Sequence, residues 1–389
     1  MRNNRQKIWI SAGEISGDEY GANLALALKE KFPSCELAGM GGSNMRAAGV
    51  RTHIDCESTA ATMGFAEVLR KASGLYAALS RLGSEMKKNK PNLLITIDFP
   101  DFNFRLIKKA RKLAIPCLYF ITPKVWAWRE KRCSFLSEKL SACAVIFPFE
   151  EDFLRKRGVK NCYFVGHPLA ESLPKIKQDR TKIRERLGIG QNQKLLAIFL
   201  GSRESEIKRH YPILKDSAER LTAKYPDLLI AAPLAKNNLT EKIKFPNQIN
   251  LKDFSSIEIL SAADAGLIKS GTSNLQAALL GTPFAMFYKV NQLTAVIARL
   301  LINRSDFSIV NILYPESAPE YVQENCTSAK LYDAAEKLLF NDVCRSQQLA
   351  KFAKITEILS QGVTGEFRHF KGVYQRVAEL ASRIINSAP

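Results

Sequence analysis

The chain has 389 residues, 46% of them hydrophobic, and 57 Lys+Arg against 38 Asp+Glu give a formal net charge of +19. This length exceeds one ordinary core and predicts two domains, while the charge predicts a polyanionic neighbour such as nucleic acid, an anionic membrane face or a phosphorylated substrate. The eight cysteines lack a C-x-x-C pair, which predicts reduced thiols and neither zinc nor disulfides. The N-terminal MRNNRQK leads straight into a predicted strand, so no signal peptide is visible, and no apolar run approaches the length of a membrane span; we therefore expect a cytosolic protein.

The first half alternates short apolar runs with amphipathic segments, which is typical of βα units on a parallel sheet. The first predicted strand covers residues 7–11, and a glycine-rich loop separates it from a helix that starts near residue 19. Glu14, Ser16 and Asp18 lie in this loop, at the strand edge where open α/β sheets bind ligands. The alternative is a loop that only caps the helix.

Apolar residues recur at helical spacing through residues 65–88, and basic residues accompany them. In one interpretation the apolar stripe packs on the sheet. In the other, part of it is exposed and rests in a bilayer interface beside anionic head groups. The residues that would make this membrane contact are Phe65, Leu69, Arg70, Lys71, Leu75 and Tyr76.

Asp98 directly follows a predicted buried strand over residues 93–97. A carboxylate at the carboxyl end of a strand is well placed to act as a general base. The alternative role is capping of the next helix, but Asp101 suits that role better because it precedes the predicted helix at Asn103.

The next predicted strand, residues 116–121, leads to Trp126 and Trp128. With Arg129, Lys131 and Arg132 these tryptophans form an aromatic and basic rim suited to sugar faces or phosphates, and core packing of either tryptophan is the alternative. The remaining strands predicted for the first sheet are residues 143–147 and 161–165.

A polar, charged stretch over residues 170–194 is the predicted domain boundary. From residue 195 a new series of βα units begins, and its first strand leads to Ser202 and Arg203 at the start of a helix. Further strands are predicted at residues 227–231, 248–251 and 264–268, and helices at about 291–303, 329–340, 343–359 and 367–385.

The strand over residues 264–268 leads into Ser270, Gly271 and Thr272, which precede a predicted helix. The unpaired N–H groups and the positive dipole end of a helix N-terminus suit a diphosphate, and Gly271 adds no side-chain bulk. The alternative is an ordinary βα turn.

Eight short motifs, taken in order, resemble the lipid-A-disaccharide synthase family over nearly the whole chain. They are AGEISGD (12–18), MGFAEVL (63–69), DFPDFN (98–103), VWAW (125–128), FPFE (147–150), VGHP (165–168), GSRESEI (201–207) and SGTSNL (270–275).

The resemblance implies an α/β protein of the GT-B type, in which two Rossmann-like domains with parallel sheets face an interdomain cleft. The implied domains are residues 1–172, on the acceptor and membrane side; residues 173–365, which bind the UDP-sugar; and a C-terminal helix, residues 366–389, that packs back on the first domain. The implied activity transfers diacylglucosamine from its UDP conjugate to diacylglucosamine 1-phosphate. The resemblance also places the protein at the cytosolic face of a bacterial inner membrane and allows a homodimer. It implies no nucleic acid partner, no cofactor and no metal.

The resemblance also assigns site residues. Asp98 is the catalytic base, and the acceptor-binding residues are Glu14, Ser16 and Asn103. The nucleotide-binding residues are Ser202, Arg203, Ser270, Gly271, Thr272, Gln276 and Asn311.

Two positions depart from the family pattern, which usually has proline at the position of Leu200 and glutamate at that of Gln276. Such a glutamate would accept hydrogen bonds from both ribose hydroxyls, whereas Gln276 accepts without the charge. Competing hypotheses are a UDP-N-acetylglucosamine epimerase, another GT-B lipid glycosyltransferase, or a basic protein that binds membranes or nucleic acid without catalysis.

Overall fold

The computed structural model describes residues 5–57, 65–177, 179–201, 203–234, 243–291, 307–361, 363 and 367–387, with only the backbone described for 65–73, 174–177 and 361. The chain divides into two compact units. The first comprises Met1–Pro168 and Gln361–Pro389, and the second comprises Leu169–Ser360.

The first unit contains a parallel sheet with helices between successive strands. Its strands are β1 (Lys7–Ala12), β2 (Glu36–Gly41), β3 (Arg51–Asp55), β4 (Leu93–Ile97), β5 (Cys117–Phe120), β6 (Ala142–Val145) and β7 (Cys162–Phe164). Its helices before the second unit are α1 (Ile15–Lys31), α2 (Ser43–Ala47), α3 (Phe65–Lys88), α4 (Pro100–Lys112), α5 (Arg132–Lys139) and α6 (Pro148–Arg155).

The sheet of the first unit is apolar along whole strands because helices cover both of its faces. Every residue of β4, β5 and β6 is buried. Among the described residues the seven strands have the order β3-β2-β1-β4-β5-β6-β7, and every pairing between neighbours is parallel. The order therefore reverses between β1 and β4.

The second unit repeats this plan with a smaller sheet. Its strands are β8 (Leu195–Phe199), β9 (Leu229–Ala231), β10 (Ala265–Lys269), β11 (Phe284–Tyr288) and β12 (Glu320–Val322). Its helices are α7 (Pro168–Lys177), α8 (Arg180–Arg186), α9 (Glu204–Lys224), α10 (Ser256–Ala262), α11 (Thr272–Leu280), α12 (Ile309–Leu313), α13 (Ser328–Phe340) and α14 (Asp342–Gln361).

The five strands described in the second unit have the parallel order β12-β11-β10-β8-β9, which reverses between β8 and β10. Side chains from β8, β10 and β11 form its core with α9 and α13. The predicted strand at residues 248–251 is wrong beyond one isolated bridge, between Gln248 and Ile230. The left-handed residues Asn247 and Asp253 flank this stretch, and its described backbone pairing with β9 is limited to the hydrogen bonds that Ile230 makes with Asn247 and Ile249.

The last helix, α15 (Val373–Ser387), belongs to the first unit, where it packs on α1. Glu379 forms an ion pair with Lys31 at 2.8 Å, and the buried Arg376 guanidinium donates to the Val165 carbonyl at 2.9 Å. The sequence therefore returns to its starting domain after completing the second one, in agreement with the predicted fold class. The predicted helix over residues 291–303 lies outside the described residues except for its first residue.

Candidate functional site

The first candidate site lies at the carboxyl edge of the seven-stranded sheet, where β1 and β4 are neighbours. Ligands of open parallel sheets bind where the strand order reverses in this way. Ala12 pairs with Ile97, so the segments that follow β1 and β4 leave the sheet side by side. The Phe99 ring lies against Gly13, where any side chain would collide with it.

Asp98 is exposed at this edge, and its backbone has an uncommon conformation. Its φ is 42° and that of Phe99 is 50°, left-handed values that few non-glycine residues adopt. The Asp98 carbonyl accepts hydrogen bonds from the Tyr119 hydroxyl at 2.7 Å and the Asn103 amide at 2.6 Å. Backbone strain of this kind costs roughly 1–3 kcal/mol per residue and clusters at functional sites.

The protein around Asp98 raises the pKa of its carboxyl, even though part of the residue is exposed. Desolvation is the main cause, and it outweighs the hydrogen bond from the Phe99 N–H and the positive charge of Lys124. Because its pKa is raised, the Asp98 carboxylate is a stronger base than an ordinary aspartate. Asp98 in turn affects Tyr20 on α1: burial, Glu19 and Asp98 together raise the pKa of Tyr20 to about 12.

Asn103 lies behind Asp98 and is fully buried. Its Nδ2 donates to the carbonyls of Ile97 and Asp98, at 3.2 and 2.6 Å, and its Oδ1 accepts from the Ser11 hydroxyl at 2.8 Å. The amide is therefore directed into the protein. Asn103 therefore links the Asp98 backbone to β1 and β4 through these hydrogen bonds. Because it is fully buried, it has no surface for direct contact with a ligand.

Glu14 and Ser16 are exposed at the start of α1. The observed loop is shorter than the predicted one, because the helix begins at Ile15 with Glu14 as its N-cap residue. Asp18, which shared the predicted loop, is buried and has a structural role. Its carboxylate caps α2 by accepting hydrogen bonds from the backbone N–H groups of Gly42, Asn44 and Met45.

A cavity of about 180 Å³ opens beside Asp98. Lys124, Trp128, Arg129 and Arg132, from the segment that follows β5, line it. Trp128 is 53% exposed, and the Arg129 guanidinium lies 4.2 Å from the centre of its ring. Of the aromatic and basic residues that the sequence singled out, Trp128, Arg129 and Arg132 therefore share one cavity with the candidate base, whereas Trp126 and Lys131 do not line it.

Two carboxylates hold this lining segment. Asp101 accepts a hydrogen bond from Arg132 at 2.6 Å, so the prediction that Asp101 caps a helix is wrong, because α4 begins at Pro100 with Phe99 as its N-cap. The half-buried Trp126 donates its Nε1–H to Glu150 at 2.9 Å. Desolvation raises the pKa of the buried Glu150 to about 7 despite this hydrogen bond.

The second candidate site occupies the equivalent position in the other unit, where β8 and β10 are neighbours. Ile268 pairs with Phe199, so the loops that follow these strands leave the sheet side by side. Arg203 lies at the start of α9 with its side chain 77% exposed, whereas Ser202 lies outside the described residues. Leu200 is buried in the core, so the departure from proline falls at a packing position.

The N-terminus of α11 presents fewer backbone donors than the sequence predicted. The Ser270 N–H donates to the Phe287 carbonyl at 3.0 Å, and the Gly271 N–H donates to Asn274 Oδ1 at 3.2 Å. Within the part of the chain that the structure describes, the N–H groups of Thr272 and Ser273 have no such partner. A Cβ atom at Gly271 would meet no protein atom within 4 Å, so the space above the loop is open.

Lys269 is a basic residue of this site that the sequence analysis missed. It is the last residue of β10, and its Nζ lies 3.0 Å from Glu206 Oε1, while Arg203 lies 4.0 Å from the same oxygen. Glu206 is buried, and its Oε2 has no hydrogen-bond partner among the described residues. A lysine directly before the small-residue loop was the available signal.

The other two predicted nucleotide contacts differ in exposure. Gln276 is half-buried in the second turn of α11. Asn311 is buried, donates to Ala318 and Glu320 at 2.9 and 2.7 Å, and accepts from the Ala318 N–H at 2.8 Å. Its amide therefore holds the segment between α12 and β12 together.

The amphipathic helix α3 is divided between packing and exposure. On its described side-chain portion Leu79, Leu82 and Met86 are buried, and the helix packs chiefly on α4 and also on the edge strand β3. Leu75 is half-buried and Tyr76 is 70% exposed. Of the remaining predicted membrane contacts, Phe65, Leu69, Arg70 and Lys71 lie on this helix, and their side chains fall outside the described residues.

Among the described residues, no group of three or more His, Cys, Asp or Glu side chains could hold a metal ion. No described helix combines the length and the apolar composition that crossing a bilayer requires.

Comparison with known proteins adds evidence from outside this chain. Residues 8–368 match the family model described as lipid-A-disaccharide synthetase. The lipid-A-disaccharide synthase of Nitrosococcus oceani is 35% identical over 368 residues, covering 93% of this chain and 94% of that protein. Lipid-A-disaccharide synthase 1 of Legionella pneumophila (strain Lens) is 36% identical over 364 residues, covering 92% and 94%.

Solved structures with the same fold include a sugar-nucleotide epimerase and a glycosyltransferase. UDP-GlcNAc 2-epimerase from Neisseria meningitidis, bound to UDP-GlcNAc, has a TM-score of 0.60 at 13% identity and covers 98% of this chain and 100% of its own. The glycotransferase of kitacinnamycin also has a TM-score of 0.60, at 14% identity, with 98% and 99% covered. At these identities the likeness shows the GT-B fold alone.

Proposed function

This chain belongs to the lipid-A-disaccharide synthase family, and from that premise we propose how its own residues carry out the reaction. The protein is a glycosyltransferase of lipid A disaccharide synthesis. It transfers diacylglucosamine from the UDP conjugate to diacylglucosamine 1-phosphate, and the products are the β-1,6-linked disaccharide 1-phosphate and UDP.

Asp98 is the base in this proposal, and its position at the strand reversal of the first unit is the observation that carries it. The carboxylate takes the proton from the acceptor 6-hydroxyl as that oxygen attacks the anomeric carbon of the donor. The bond from that carbon to the UDP oxygen breaks, its electron pair leaves with UDP, and the anomeric configuration inverts. The raised pKa of Asp98 supports this role because it strengthens the base.

The second unit stabilises the departing UDP. The N–H groups of Thr272 and Ser273, the dipole of α11, and the cations Arg203 and Lys269 supply positive potential where the diphosphate charge develops. Glu206 positions Lys269 through their ion pair. Because this potential is provided by the chain itself, we propose that the step needs no metal.

Glu14 and Ser16 orient the acceptor from the start of α1, and Asn103 acts through Asp98 as a positioning residue. Gln276 accepts from the ribose, and Asn311 shapes the segment next to the nucleotide site. The roles of Glu14 and Ser16 rest on the exposure of their side chains. Those of Asn103 and Asn311 rest on their buried hydrogen bonds.

We also propose that the protein binds peripherally to an anionic membrane surface at the cytosolic face of the inner membrane. The net charge of +19 and the exposed Tyr76 on α3 support this location. Sedimentation with anionic vesicles, but not with neutral ones, is the expected result, and Tyr76→Ala should weaken it. A homodimer stays a prediction, which analytical ultracentrifugation would test.

The reaction itself is tested by incubating the protein with UDP-diacylglucosamine and diacylglucosamine 1-phosphate, followed by mass analysis of the lipids. The disaccharide 1-phosphate should appear in step with UDP. Release of free diacylglucosamine without disaccharide would contradict the assignment, and epimerisation of the donor sugar would favour the UDP-N-acetylglucosamine epimerase hypothesis.

A further inference from the structure

The cavity beside Asp98 contains more positive charge than a general base requires. Lys124, Arg129 and Arg132 share its wall with the Asp98 carboxylate. The charge of Lys124 lowers the pKa of Asp98 and so opposes the effect of burial that makes this aspartate a better base. Because the charge of Lys124 makes Asp98 a weaker base, Lys124 has a function in this cavity other than assisting proton transfer.

The guanidinium groups of this cluster are held in place by the protein. Asp101 lies 2.6 Å from Arg132 and 3.5 Å from Arg129. Aromatic rings support the same two groups, since Arg129 lies 4.2 Å from the Trp128 ring centre and Arg132 lies 4.9 Å from that of Phe104. Fixed guanidinium groups lose little side-chain entropy when they bind an anion.

One carboxylate cannot balance these cations. Asp101 offsets a single positive charge of Arg129 and Arg132, and Lys124 has no ion-pair partner within the described part of the chain. With the Asp98 carboxylate of the same cavity also counted, the cluster keeps a surplus of one positive charge. This surplus favours an anion such as a phosphate monoester, which carries about −1.5 to −2 at neutral pH.

We propose that Lys124, Arg129 and Arg132 form the subsite that binds the phosphate of the acceptor. The inference rests on the proposed function and identifies how the acceptor is recognised. In a hexose 1-phosphate, the carbon that bears the phosphate and the carbon that bears the CH2OH arm both flank the ring oxygen. A base and a phosphate site that share one small cavity therefore fit the two ends of one sugar ring.

The cluster also explains why the acceptor is phosphorylated although its phosphate takes no part in bond formation. Binding energy from this remote group holds the 6-hydroxyl against Asp98. Trp128, exposed on the same wall, offers an apolar face to the sugar ring.

The test compares Lys124→Ala with wild type in neutral detergent micelles, so that anionic lipid surfaces do not contribute. Two acceptors are used, diacylglucosamine 1-phosphate and its dephosphorylated form. A hydrogen bond between charged groups contributes about 1.5–3 kcal/mol, so the variant should raise KM for the phosphorylated acceptor about ten- to hundredfold. The ratio of kcat/KM for the phosphorylated acceptor to kcat/KM for the dephosphorylated one should fall by the same factor, because the effect of Lys124 on the Asp98 pKa acts on both acceptors alike.

Lys139→Ala is the matched control because it removes one positive charge from the same unit at a surface position outside the cavity. Lys139 lies on α5, and its ion pair is with the adjacent Glu138, at 3.5 Å. This variant should leave both acceptors unaffected. If Lys139→Ala raises KM for the phosphorylated acceptor as much as Lys124→Ala does, general electrostatic attraction explains the effect and the subsite is refuted.

Calorimetric titration of the same two lipids separates the subsite from the reaction. Wild type should bind the phosphorylated lipid more tightly, and Lys124→Ala should lose that preference. Equal weakening for both lipids, or an unchanged preference, would overturn the subsite whether or not the protein makes disaccharide. Absence of disaccharide from wild type, with the phosphate preference intact, would instead overturn the proposed function and leave the subsite standing.

Discussion

Replacing Asp98 with asparagine separates chemistry from folding because the structure restricts which substitutions this position tolerates. Asp98 has a φ of 42°, where alanine would cost roughly 1–2 kcal/mol, whereas asparagine adopts left-handed conformations readily. The hydrogen bonds from Tyr119 and Asn103 reach the backbone carbonyl, so Asp98→Asn retains them. The variant therefore changes the carboxylate and little else.

A positioned general base contributes about 10²–10⁴-fold to rate, equivalent to ~3–5 kcal/mol at 1.36 kcal/mol per tenfold. We expect Asp98→Asn to lower disaccharide formation by that factor, while UDP binding, measured by calorimetry, and the melting temperature stay near wild type. Asp152→Asn is the control, since Asp152 is an exposed carboxylate on α6 of the same unit. Turnover above one-tenth of wild type in Asp98→Asn would refute its assignment as the base.

Three further substitutions test other parts of the structure. Gly271→Ala should fold normally, because a Cβ there meets no protein atom within 4 Å, yet weaken UDP binding at least tenfold in titration; unchanged affinity would show that the diphosphate binds elsewhere. Gln276→Glu should lower KM for the donor about fivefold, since a hydrogen bond to a charged acceptor is stronger by ~1 kcal/mol, and a higher KM would contradict contact with the ribose. Glu150→Gln should change the pH dependence of stability. Burial raises the pKa of Glu150 to about 7, so the folded state holds a proton that the unfolded state releases from about pH 4.5, and this contribution to stability is lost as pH rises to about 7. The variant should therefore gain stability relative to wild type across that window in urea unfolding, by up to roughly 1.4 kcal/mol per pH unit. This paired comparison is needed because the buried His167, with a pKa lowered to about 3 by burial, contributes the opposite slope; a constant difference would disprove the effect.

Local patterns were sufficient to predict two series of βα units, and the family resemblance implied the GT-B fold class; the two parallel sheets and the solved structures of the same fold confirm both. Local patterns were insufficient for β2, where glycine-rich sequence concealed a strand. Gly39 in β2 has a φ of 144°, and a side chain there would collide with the Ile10 carbonyl of β1. Glycine is present because two strands approach closely, a condition that only the pairing of distant segments creates.

Site residues show the same division. The position of Asp98 at the end of a buried strand was predicted from sequence because it is a local property. The burial of Asn103 and Asn311 was not predicted, because the sequence around an amide does not show whether its side chain faces a ligand or the backbone. Lys269 was missed because its partner, Glu206, lies on another element of the second unit.

The sequence by itself determined most of the elements, their order along the chain and the side chains available at strand ends, because these depend on hydrophobic periodicity within a few residues. Tertiary structure alone decided which side chains meet. The strand order brings β1 beside β4 and β8 beside β10, and the chain after β5 returns to Asp98 with Lys124, Arg129 and Arg132. Burial, charge balance and pKa depend on these distant neighbours, so they follow from packing and not from local pattern.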